Sequence, residues 1–121
     1  MGEQRQVPRA ALTEQEGCAL LKARFQAAGF PVLEHVPFSE EGVEVVLDGY
    51  DPATKVGYEL ITTQAGDREA FTPEVTMKLE DAMRAGRLCL LLVDEAEVDA
   101  DGLSLAADRF LTTVKSRRGA G

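Results

Sequence analysis

A chain of 121 residues, 45% of them apolar, has the size and composition of one globular domain with one core. Its 21 acidic residues outnumber 13 basic ones, and a net charge of −8 disfavours a broad nucleic-acid surface, which needs clustered Lys and Arg. No apolar run approaches the roughly 20 residues of a membrane span, and the opening MGEQRQVPRAAL has neither the apolar centre of a signal peptide nor the hydroxyl residue of a myristoylation motif, Gln6 standing in its place, so a cytoplasmic protein is expected.

Residues 1–11 show no apolar period and contain Pro8, which predicts a flexible N-terminal tail ahead of a single α/β domain over 12–118. The first helix begins at TEQE, where Thr13 is the N-cap and Glu16, three residues on, completes a capping box. Cys18, Leu21, Phe25 and Ala28 recur at helical spacing as one buried stripe, and Gly29 and Pro31 end the helix. A first strand is expected over 32–38, with Pro37 marking it as an edge or strand end. SEEG is a turn, residues 43–48 are a second strand, GYDPAT is a second turn, and residues 56–63 are a third strand.

QAGDREAF follows as a polar loop. Thr72 then caps a second helix with Pro73 at its first position, and Val75, Leu79, Ala82 and Met83 form its buried stripe before Gly86 closes it. LCLLLV, residues 88–93, has no alternation and reads as a strand covered on both faces. A last helix, about 104–117, buries Leu103, Ala107, Phe110, Leu111 and Val114 and finishes in KSRR. The order is α-β-β-β-α-β-α, a meander of three strands followed by a crossover to a fourth strand parallel to the third. The expected fold is therefore a mixed four-stranded sheet flanked by helices.

The second and third strands carry three acids, Glu44, Asp48 and Glu59, inside otherwise apolar or β-branched runs. Strand side chains alternate between faces. Val43, Val45 and Leu47 thus share one face, and Glu44, Val46 and Asp48 the other. A hairpin with Val46 opposite Glu59 makes the apolar sets coincide, because a one-residue slip sets apolar side chains against acids. In that register Asp48 stands opposite Gly57 and diagonal to Glu59. All three acids share a face, close enough for Asp48 and Glu59 to hold a common cation.

This element order, with Asp48 closing the second strand and Glu59 inside the third, resembles the PD-(D/E)XK nuclease-like superfamily over about residues 13–93. The resemblance implies a restriction-endonuclease-like fold and a Mg²⁺ held by Asp48 and Glu59 that activates water at a phosphodiester. It also implies a catalytic lysine two positions after the third-strand acid, and that position is Ile61. Lys78 on the second helix is the candidate replacement, with Lys55 behind it, and Glu16 falls where some members place a further acid. The catalytic set carried over is Asp48, Glu59 and Lys78.

The degenerate motif favours a non-catalytic nuclease-fold domain that acts by binding a protein. The alternatives are a Mg²⁺-dependent nuclease with a relocated lysine, and an unrelated small acidic regulatory or immunity-type binding protein. No cofactor is expected in the first case, and Mg²⁺ in the second. The loop TTQAGDREAFTP adds Gln64, Asp67 and Arg68 as candidate binding residues beside Glu44. Apolar surface on the first strand offers a face for a homodimer. Cys18 and Cys89 read as buried free thiols, and the single His35 as a strand-end or surface residue. The chain has no GxxxxGK[ST], GxSxG or HExxH motif.

Overall fold

The computed structural model describes residues 13–62, 70–94 and 97–120. The expected tail at 1–11 therefore lies outside the described residues. Within them run α1 (Glu14–Ala27), β1 (Leu33–Glu40), β2 (Val43–Asp51), β3 (Val56–Ile61), α2 (Pro73–Arg84), β4 (Cys89–Asp94) and α3 (Ala100–Ala120). The four strands form one sheet in the order β1-β2-β3-β4. The first three meander antiparallel, and β4 lies parallel to β3. Pro37 sits on the edge strand, as a residue without an N–H must when no ladder bond is to be lost.

The helix starts follow local chemistry. The Thr13 hydroxyl accepts from the Glu16 N–H at 3.0 Å, and the Glu16 carboxylate accepts from the Thr13 N–H at 3.2 Å. Thr72 caps α2 by accepting from the Val75 N–H at 3.2 Å. Gly29 and Gly86, just past the ends of α1 and α2, take the left-handed backbone with φ of 98° and 80°.

Two apolar clusters sandwich the sheet. On one face Leu21 and Phe25 of α1 and Leu103, Ala107, Leu111 and Val114 of α3 pack on Val56, Tyr58 and Leu60 of β3. On the other, Leu79 and Ala82 of α2 pack on Val43, Val45, Leu47 and Tyr50 of β2 and on Leu90 of β4. β4 contributes to both clusters, which accounts for its unbroken apolar run. α1 and α3 are joined by Arg24 Nη1, which donates to both carboxylate oxygens of Asp108 at 3.1 Å, and by stacking of Phe25 on Phe110. Gly17 lets α1 come down on the sheet, because a Cβ there would stand 2.3 Å from Leu60 Cδ2.

The structure corrects four expectations. β2 does not stop at Asp48 but runs through Asp51. Asp51 instead opens the turn, its carboxylate accepting from the Ala53 N–H at 3.2 Å and the Thr54 hydroxyl at 2.6 Å. β3 ends at Ile61. α3 starts at Ala100 rather than near 104. Lastly, the β2–β3 register pairs Tyr50 with Gly57 and Gly49 with Tyr58, two residues away from the pairing expected from apolar matching. A two-residue shift preserves side-chain parity, so hydrophobicity alone does not distinguish the two registers.

Candidate functional site

The corrected register brings Asp48 level with Glu59, at the point where the β2–β3 ladder ends with the Gly49–Tyr58 pair. Beyond it the two acids replace the missing rungs. The Asp48 N–H donates to Glu59 Oε1 at 2.8 Å, and the Leu60 N–H donates to Asp48 Oδ2 at 2.9 Å. Each carboxylate thus satisfies a backbone donor of the opposite strand. Leaving either donor buried and unsatisfied would cost about 1–3 kcal/mol. Glu59 is fully buried and Asp48 is 7% exposed.

The two carboxylates do not come from one face. Glu59 alternates with Tyr58 and Leu60, which pack under α1 and α3, so its Cβ leaves the sheet on the α2 side with Ile61. Asp48 follows Leu47, which packs under α2, and its carboxylate reaches Cys18 on α1. The expected shared face for Glu44, Asp48 and Glu59 is therefore corrected. Parity breaks at Asp48 and Gly49, since Leu47 and Tyr50, three residues apart, both pack under α2. The break lies beside His35, whose φ of 52° is left-handed, a conformation that histidine tolerates better than most side chains. The β1–β2 ladder passes there from Glu34–Gly49 to Val36–Leu47.

The remaining candidates lie elsewhere. Lys78 Nζ donates to the Gly42 carbonyl at 3.3 Å and pairs with Glu74 at 3.4 Å, placing it at the β1–β2 turn. Lys55 pairs with Glu40 at 3.1 Å. Ile61, at the motif-lysine position, packs against the α2-side cluster. Glu16 closes the α1 capping box. Glu44 is exposed and accepts from the Ser39 hydroxyl at 3.4 Å. Gln64, Asp67 and Arg68 lie outside the described residues.

Mg²⁺ takes six oxygens at about 2.0–2.1 Å and keeps several waters among them. Glu59 is fully buried, and one oxygen of each acid is already engaged by a backbone N–H. The Asp48–Glu59 pair does not fit that ion.

A second constellation was not anticipated. One ligand atom from each of Glu14, Cys18 and Asp48 lies within 4.8 Å of the others. Glu14 and Cys18 stand four residues apart, one above the other on α1. They line a cleft of about 360 Å³ together with Gln15, Ala19, Glu34 and His35. Cys18 is half-buried rather than fully buried. Burial first, and then the charge and hydrogen bond of Asp48, push its thiol well above the usual range, with Glu14 and Glu59 adding to the shift.

Tyr58 borders the same place. Its ring lies over Gly49, where a Cβ would come within 2.2 Å of Cζ and 2.6 Å of the hydroxyl. Gly49 in turn pairs with Glu34 on β1, so the phenol crosses β2 toward the cleft wall. Burial, followed by Cys18, Glu34 and Asp48, raises its pKa strongly. The i,i+4 spacing of Glu14 and Cys18 was visible in the sequence, but Cys18 read as core because it belongs to the apolar stripe of α1.

No protein-family model, curated protein or solved structure matches the chain. Among the described residues, no helix is long and apolar enough to cross a membrane.

Proposed function

We propose that this protein is a binding domain rather than an enzyme, with a nuclease-like order of elements whose catalytic positions serve the fold. The observation that carries this reading is the reciprocal pair of bonds at the β2–β3 fork. Asp48 and Glu59 are the two acids a nuclease of this type would need, and each holds the other strand's backbone. Ile61 in the apolar cluster and Lys78 at the distant Gly42 support the same reading. The placement of Lys78 counts against a relocated catalytic lysine.

The binding surface in this reading is the uncovered side of the β1–β2 hairpin. There α1 and α3 cover β3 and leave Pro37, Ser39, Glu44 and Val46 exposed, Val46 by 55%. An exposed valine flanked by Glu44, on a chain of net charge −8, suits a protein partner with an apolar contact ringed by Lys and Arg.

The test has two arms. A Mg²⁺ titration followed by carboxylate NMR should leave Glu59 unshifted at millimolar cation. A saturable shift at Glu59 reinstates the nuclease reading. A photo-crosslinker at position 46 should yield a defined adduct with a basic protein, absent when the crosslinker is placed at Glu80. An adduct of twice the chain mass would instead identify a homodimer, and no adduct at position 46 would remove the hairpin as the docking face.

A further inference from the structure

We propose that the cleft between α1 and β1 binds a thiophilic divalent cation of the zinc class through Glu14, Cys18 and Asp48. This inference is separate from the docking reading, because the cleft lies between α1 and β1 at Glu34 and His35, whereas the docking face is the hairpin around the Pro37–Val46 pair.

Three observations support it. First, the donor set is already gathered: two ligands come from one face of α1 and the third from β2, with the three atoms mutually within 4.8 Å. Tetrahedral zinc has a sulfur at about 2.3 Å and oxygens at about 2.0–2.2 Å, so neighbouring ligands sit about 3.5 Å apart. Side-chain rotation of Glu14 and Cys18 on a fixed helix covers the difference. A sulfur in the set selects zinc-class ions over Mg²⁺ and Ca²⁺.

Second, Asp48 is oriented before any ion arrives. The Leu60 N–H at 2.9 Å holds its Oδ2, as a ligating carboxylate is commonly held by an outer hydrogen bond. Gly17 brings α1 close enough for Cys18 to meet it.

Third, the Tyr58 hydroxyl points to a ligand. Tyr58 is fully buried, and its hydroxyl finds no hydrogen-bond partner among the described residues. The ring lies over Gly49, whose strand partner Glu34 lines the cleft, so the hydroxyl is directed toward the β1 wall of the cleft. A buried hydroxyl left in this condition costs about 1–3 kcal/mol. A water completing the coordination of a three-ligand ion would satisfy it. On binding, the Cys18 S–H bond gives way to a sulfur–metal bond and the proton leaves to solvent. His35 lines the outer wall and stands apart from the three-ligand cluster.

The full chain, reduced and metal-free, should be titrated with Co²⁺ alone and read by absorbance. The expected result is one equivalent of Co²⁺ bound with a thiolate-to-cobalt charge-transfer band, bleached by one equivalent of Zn²⁺. Cys18→Ser should abolish the band, and Cys89→Ser and His35→Ala should keep it. Asp48→Asn risks unfolding the fork, so Glu14→Gln and Tyr58→Phe serve as the folded variants. Loss of even an outer-shell partner costs about 10–100-fold in affinity, so each should weaken binding by at least about tenfold. Absence of the band at saturating Co²⁺, its survival in Cys18→Ser, or its loss in Cys89→Ser would overturn the proposal.

Discussion

The β2–β3 fork and the α1–β1 cleft meet at Asp48, yet they use their acids in opposite ways. At the fork Glu59 is fully buried and accepts a backbone N–H where two strands separate. At the cleft Glu14 is half-exposed in the first turn of a helix, beside a thiol. One carboxylate does the work of a ladder hydrogen bond, and the other stands where a ligand could reach it. The lesson is that an acid inside a strand is not by itself evidence of chemistry. What matters is whether the side chain is sealed within the sheet, as Glu59 is, or stands at a cleft, as Glu14 does.

The largest expected effect separates the two regions by stability. Glu59→Ala leaves the Asp48 N–H without its acceptor and opens a cavity in the sheet, and should cost about 3 kcal/mol in urea unfolding. Glu14→Ala should cost only the about 0.3–1 kcal/mol of an acid at a helix N-terminus. Equal losses would erase the distinction between fork and cleft.

A smaller effect tests the crossing of Tyr58 over β2, which links the two regions. Gly49→Ala forces a methyl to within 2.2 Å of the phenol ring. Overpacking of this kind costs about 1–3 kcal/mol, and Gly49→Ala combined with Tyr58→Leu should recover part of it. No recovery in the double variant would mean that Tyr58 lies elsewhere.

The smallest effect concerns pH. Burial, with Glu40, Asp51 and Glu41 adding to it, raises the Tyr50 phenol from 10.0 to about 12. Below pH 10 Tyr50 is neutral in both folded and unfolded chains, and its burial is fully retained. As pH rises from 10 toward 12 the unfolded chain ionises first, so stability falls through that window. Tyr50→Phe should flatten this part of the stability–pH curve relative to the parent, measured by chemical denaturation at pH 9 to 11.5. A parallel decline in both proteins would assign the loss to other groups.

Much of the architecture was legible because local rules were strong. Thr13 with Glu16, and Thr72 with Pro73, announced two helices, and both caps form. The unbroken LCLLLV run announced a strand covered on both faces, and β4, although at the edge of the sheet, contributes to both clusters. The candidate site was less legible. Parity placed Glu44, Asp48 and Glu59 together, but the rule assumes an unbroken strand. His35 with positive φ and the parity break at Asp48 and Gly49 violate that assumption, and nothing in the composition of β2 signals it. Cys18 was hidden differently: a cysteine on an apolar stripe looks like core until the neighbouring strand brings a carboxylate to it.

The order of elements, the helix ends and the apolar faces follow from the chain alone, because capping, periodicity and turn chemistry act within a few residues. The β2–β3 register, the emergence of Asp48 and Glu59 from opposite faces, and the meeting of Glu14, Cys18 and Asp48 were decided by tertiary structure. Two registers of equal parity bury the same side chains to first order. Only the packing of Tyr58 over Gly49, the approach of α1 through Gly17 and the need to satisfy the Asp48 and Leu60 N–H groups distinguish them.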